Sequence, residues 1–154
     1  MVRYCPGRRL PPYAFVPGVH PHPTRDPRGH SHGHPPEPAE SALAWGVDLY
    51  NHGYFWEAHE AWEGLWRAAP PGSAMRSAYA GLIQCAAACV KLRAGRIRPA
   101  RRIAARALDH LERADDATVA PPVSDLEAFA ARFARWIDAP APTLDDRPRL
   151  ALDR

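Results

Sequence analysis

The chain has few cysteines, no long apolar run, little excess charge and none of the short motifs that announce a known chemistry. Its three cysteines, Cys5, Cys85 and Cys89, form an odd set. Cys85 and Cys89 lie four apart in a run that reads as helix, where a disulfide would be strained. All three are therefore expected to be reduced thiols in a cytoplasmic protein. No stretch approaches the roughly 18 apolar residues of a membrane span, and none suits a signal peptide, so no membrane role is expected. The balance of 20 Lys+Arg against 17 Asp+Glu leaves a net charge of +3, too small for the total alone to argue for nucleic acid. No glycine-rich phosphate loop and no nucleophile elbow is visible, which argues against nucleotide hydrolysis and the α/β-hydrolase route.

Proline and histidine are plentiful, and their positions divide the chain. Ten of the 18 prolines fall within residues 1–38, and the rest sit at breaks between helical patterns or near the end. Proline fixes φ and has no amide donor, so it marks boundaries. The expected organisation is an extended Pro/His-rich arm over 1–38, a helical domain over 39–138 and a polar tail over 139–154. Within 39–138, apolar residues recur at helical spacing in five runs, near 38–51, 54–68, 73–94, 98–114 and 124–137. Ser73 and Ser124 are the expected caps of the third and fifth helices, with Glu127 in a capping-box position. The third run, AYAGLIQCAAACVKL, is apolar nearly all round and should be central. No run reads as a strand. The expected fold is all-α, a compact bundle of about five helices with the arm outside it.

One stretch concentrates chemistry: GYFWEAHEAWEGLWR, residues 53–67. At about 100° per residue, His59, Trp62 and Trp66 fall close to Phe55, with Glu63 one turn after His59 and Glu57 nearly opposite. Three readings follow. His59, Glu63 and Gln84 could form a buried hydrogen-bond network that fixes helix packing, since an unpaired buried polar group costs about 1–3 kcal/mol. His59, Glu60 and Glu63 could instead act as acid and base or hold a divalent metal such as Zn²⁺, Mn²⁺ or Fe²⁺ in a pocket. That pocket would be lined by Glu57, His59, Glu60, Trp62, Glu63, Trp66, Arg67 and Gln84. Or the stretch could edge a protein interface. The His-Glu-x-x-His signature is not present, because position 63 is Glu. His20, His22 or His30 from the arm could complete a shell begun by His59 and Glu63, with Tyr13 and Phe15 gripping the domain.

At this point the residues resemble a family. Asn51-x-Gly53-x-Phe55-x-Glu57-x-His59-Glu60-x-x-Glu63-x-x-Trp66-Arg67 is similar to the signature of domain of unknown function family number 309, small bacterial and plastid proteins. Gly81-Leu82-Ile83-Gln84-x-Ala86-Ala87 resembles its second block. Pro17-Gly18-x-x-Pro21-His22-Pro23 and Asp26-Pro27-x-Gly29-His30 resemble an N-terminal extension of some members. The likeness spans roughly 12–113. It implies an all-helical bundle without an established activity. It also implies that any shared role falls on Glu57, His59, Glu60, Glu63, Trp66, Arg67 and Gln84. The turn Gly95-Arg96-Ile97-Arg98-Pro99-Ala100 departs from the family's pattern, because Arg96 and Pro99 replace a small polar residue and a glycine.

The leading expectation is a His/Glu cluster that binds a small molecule or a divalent metal. The alternative is a non-enzymatic interaction module whose basic helical face, Arg96, Arg98, Arg101 and Arg102, meets RNA or an acidic partner. Neither the presence of a reaction nor the oligomeric state follows from these residues.

Overall fold

The computed structural model describes residues 2–22, 37–114 and 121–153. Five helices follow one another: α1 (Ala39–Asn51), α2 (Phe55–Ala68), α3 (Ala74–Arg93), α4 (Ile97–Arg113) and α5 (Leu126–Ile137), then a short 3₁₀ turn, Leu144–Asp146. Among the described residues no strand forms, only isolated bridges at Pro17–His20 and Val123–Leu152. The chain is an all-α bundle. α3 packs between α2 and α4, α1 packs on α2, and α5 packs on α4.

The helix ends follow the sequence, with one correction. Gly53, at φ 89°, turns the chain between α1 and α2, a backbone conformation that residues with a Cβ rarely adopt. Ser73 caps α3, its Oγ accepting from the Arg76 amide at 3.1 Å. The fifth helix is capped by Asp125 and not by Ser124: the Asp125 side chain accepts from the Ala128 amide at 3.1 Å. Ser124 is occupied elsewhere, its amide donating to the Ala151 carbonyl at 2.8 Å. The C-terminal segment thus takes residue 124 out of the helix.

Close approach of α1 and α2 rests on a notch at Gly46. A Cβ there would run into the Trp62 ring. Trp62 is fully buried, and its indole N–H donates to the Leu43 carbonyl at 3.3 Å. α4 approaches α3 through small residues: Ala100, Ala104 and Ala107 are buried, and Leu111 lies against Gly81.

α1 is as enclosed as α3, which the sequence reading reserved for α3. From Trp45 to Asn51 every residue is buried, including the polar Asp48 and Asn51. Both flanking segments cover it. The arm binds Asp48, whose carboxylate accepts from the amides of Tyr4 (2.8 Å) and Cys5 (2.7 Å) and from Arg3 Nε (3.2 Å). The segment after α5 binds Asn51, which donates to the Leu150 carbonyl at 2.8 Å and accepts from its amide at 2.9 Å. Buried Arg147 and Leu150 belong to that segment and tie it to the bundle, while Asp145, Asp146 and Asp153 stay exposed.

The cysteines are free thiols. Burial pushes Cys85 well above its ordinary value of 9.0 and Cys89 up to about 12. Burial raises Tyr50 well above 10.0 in the same core, and the neighbouring thiols add to it. A folded-state value raised above the unfolded one favours the protonated, folded form below the unfolded value. Stability should therefore hold below about pH 9 and fall as the pH rises toward about 12. Alkaline titration followed by circular dichroism checks this, together with thiol labelling at pH 8: Cys5 should label in the native protein, Cys85 and Cys89 only on unfolding. Native labelling of all three would show that the core admits reagent.

Candidate metal and ligand site

The polar cluster lies on α2, and the rotation of that helix decides what it can do. The row Phe55, Ala58, Trp62, Leu65 and Ala69 faces the core. Its centre lies about 40° from Phe55, so His59 sits about 80° from that centre, on the rim. His59 thus keeps its place close to Phe55 on the wheel but stands at the edge of the buried row and not within it. Its side chain is 31% exposed and that of Glu60 is 32% exposed. Seating Trp62 in the Gly46 notch turns the helix this far.

His59 Nδ1 stands 3.5 Å from Glu60 Oε1. The atom is buried and makes no hydrogen bond. Glu63 turns to Arg67, accepting from its NH2 at 2.8 Å. The buried His59–Glu63–Gln84 network is therefore not formed: Gln84 is half-buried on α3, and no hydrogen bond joins it to His59 or Glu63. Among the described residues one group has metal-ligand character. Donor atoms of His59, Glu60 and Glu63 all lie within 4.8 Å of one another. Positions 59, 60 and 63 bring this about because Glu63 lies four residues after His59 and three after Glu60, the spacings that share a helix flank.

The two tryptophans named as pocket walls do not line the cavity that adjoins the cluster. Trp62 is core, and half-buried Trp66 carries the Arg76 guanidinium 4.3 Å from its ring centroid. A cavity of about 360 Å³ opens instead on the neighbouring flank, between the arm and the helices. Glu57 and Glu60 line it from α2, Trp45 and Leu49 from α1, and Arg8, Arg9 and Leu10 from the arm. Glu60 belongs to both the cavity and the His59 group.

Glu57, placed opposite Phe55 by the helical wheel, is only 5% exposed. The arm covers it: Glu57 Oε2 accepts from the Phe15 amide at 2.8 Å. Phe15 is buried edge-on to Trp56 at 4.8 Å. His20 packs against Tyr13 at 4.7 Å, and its Nδ1 accepts from the Val16 amide at 3.1 Å. His22 packs edge-on to Trp56 at 5.7 Å. Neither joins the His59 group. His30 lies outside the described residues.

The basic segment divides as well. Arg96, Arg98 and Arg102 are exposed, whereas Arg101 donates to the carbonyls of Ile137 (3.0 Å) and Ala139 (2.9 Å) at the end of α5. Arg101 is a helix cap and leaves the basic face.

The motif helix and the helix after it are also what comparison finds. The model of a family described as Domain of unknown function (DUF309) matches residues 43–103. Those residues, about two fifths of the chain, are similar to that family. Neither a curated protein nor a solved structure gave a match. The matched stretch covers most of α1, all of α2 and α3 and the start of α4, so it contains the whole His59 group and the α1 and α2 walls of the cavity. The arm residues that close the cavity lie outside it. Among the described residues no helix is long and apolar enough to cross a membrane.

Sequence reasoning missed Asp48, Trp45, Trp56 and the paired arginines Arg8 and Arg9. One signal was present: a lone aspartate inside the apolar run of α1 has to find buried donors. Nothing in the spacing said that the donors would come from the arm.

Proposed function

We propose that this protein binds a divalent cation through His59, Glu60 and Glu63, with the adjoining cavity admitting a small molecule beside it. The observation that carries the reading is the 4.8 Å grouping of one imidazole and two carboxylate donors. One nitrogen and two oxygens suit Zn²⁺, Mn²⁺ or Fe²⁺. The buried Nδ1 of His59, which has no hydrogen bond, would gain a partner in the cation. Three protein ligands leave coordination positions open, and Glu60 gives the cavity access to them. Arg67, 2.8 Å from Glu63, orients that carboxylate and competes with the cation for it.

Elemental analysis of untagged protein purified without chelator tests this, followed by calorimetric titration with Zn²⁺ and Mn²⁺. Wild type should hold near-stoichiometric metal. His59→Ala should weaken binding by at least about tenfold, of the order lost when a group supporting a metal site is removed. Arg67→Gln should tighten it about threefold, because a competing exposed ion pair contributes about 0.2–1 kcal/mol. Equal metal content in wild type and His59→Ala would refute the assignment.

A further inference from the structure

The outer face of α4 carries a row of cations that folding does not explain. Arg98, Arg102 and Arg106 are all exposed and stand at successive four-residue steps, with exposed Arg96 at the N-cap. None has a carboxylate within ion-pair distance among the described residues. Like charges four apart on a helix repel and destabilise it. The first turn of α4 contains no acidic residue, although the helix dipole favours anions there and disfavours cations. Both effects oppose the placement, and both reverse when an anion lies along the row.

We propose that this face is a docking surface for single-stranded RNA, held by its phosphodiester backbone. The row is linear, about 12 Å from Arg98 to Arg106 at about 1.5 Å per residue, and it matches a linear polyanion better than a single small anion. A flexible strand can lay successive phosphates along a straight helix ridge, whereas the phosphate rows of a duplex curve away from it. A lipid surface fits less well. The exposed large apolar side chains among the described residues are Val2 and Val19, both on the arm, so α4 offers nothing to insert into a bilayer. No Phe, Tyr or Trp stands on α4, whose one ring is that of His110, a single four-residue step beyond Arg106. Recognition is therefore independent of sequence and dependent on salt. The row stops at exposed Asp109, which limits the contact to three or four phosphates. This surface is separate from the α2 cluster, and its test does not depend on a metal.

Fluorescence anisotropy with labelled oligo-uridine of about 20 nucleotides decides it, using the full chain. An oligo-thymidine and vesicles containing phosphatidylserine serve as the other arms. With three phosphates neutralised and a slope of about −0.7 each, affinity for RNA should fall about 20-fold between about 50 and 200 mM salt. The variant Arg98→Ala/Arg102→Ala/Arg106→Ala should lose at least about tenfold in affinity at the lower salt and flatten the slope. Arg132→Ala/Arg135→Ala, which removes two exposed charges from α5, should bind as wild type. The triple variant should melt no lower than wild type, because repulsion is removed and alanine favours helix, so lost binding would not reflect lost folding. RNA binding unchanged in the triple variant would overturn the proposal. So would no RNA binding by wild type at the lower salt, or binding to vesicles alone.

Discussion

Asp48→Ala is expected to free the arm and cost about 3 kcal/mol of stability, since hydrogen bonds to a charged group contribute about 1.5–3 kcal/mol each and orphaned buried donors cost about as much. The fully buried Asp48 carboxylate takes two amides and a guanidinium from residues 3–5. No other residue of α1 can replace it, because its neighbours are apolar. Once freed, the arm would expose its donors to water, which limits the loss to a few kcal/mol. The cavity should open at the same time, because Arg8, Arg9 and Leu10 form its arm side. Urea unfolding gives the stability change. Amide exchange at Tyr4 and Cys5 gives the release, with protection lost there while α3 stays protected. If those two amides stay protected in the variant, Asp48 is not what holds the arm. Asp48→Asn should fall between, because the amide oxygen still accepts but without the charge.

Arg147→Met is expected to cost about as much, about 3 kcal/mol, by removing charged hydrogen bonds of the same kind. Arg147 is 7% exposed. Its guanidinium donates to the carbonyls of Leu144 (2.7 Å), Tyr50 (3.1 Å) and Asn51 (2.7 Å). It also lies 4.8 Å from the Phe55 ring centroid and 5.6 Å from that of Tyr50. Two of the three carbonyls belong to the last turn of α1, where helix carbonyls lack partners and the dipole is negative. The end of the helix thus serves as counter-charge. Methionine fills the volume but leaves those carbonyls without donors. Arg147→Lys should recover less than half of the loss, because an ammonium cannot present a planar fork to two carbonyls. Urea midpoints at constant m-value provide the comparison. A loss under about 1 kcal/mol for Arg147→Met would mean that the C-terminal segment contributes little to holding α1.

The helices were legible because apolar spacing and punctuation agree. Gly53, the Pro70-Pro71-Gly72 break with Ser73 after it, and Gly95 all stand where helices end or begin. α3 reads as central because its run is apolar on nearly every face. The candidate site was only half legible. Positions 59, 60 and 63 must share a flank of α2 whatever surrounds them, so their grouping follows from helical geometry. Whether that flank is core or rim depends on how α2 rotates against α1, and the Gly46–Trp62 contact sets it. A wheel drawn on Phe55 puts His59 inside, whereas the packed helix puts it at the edge.

The sequence alone determined the class of fold, the number and order of its helices, and the local grouping of His59, Glu60 and Glu63, because each depends on residues within a few turns of one another. The tertiary structure alone decided the rest. It took Glu57 out of solvent, paired Asp48 with the arm and Arg147 with the end of α1, turned Arg101 from a surface cation into the cap of α5, and opened a cavity between the arm and α2. Those contacts join residues some 36 to 97 positions apart. No periodicity encodes such pairings, because a buried polar group specifies that it needs a partner and not where along the chain the partner lies.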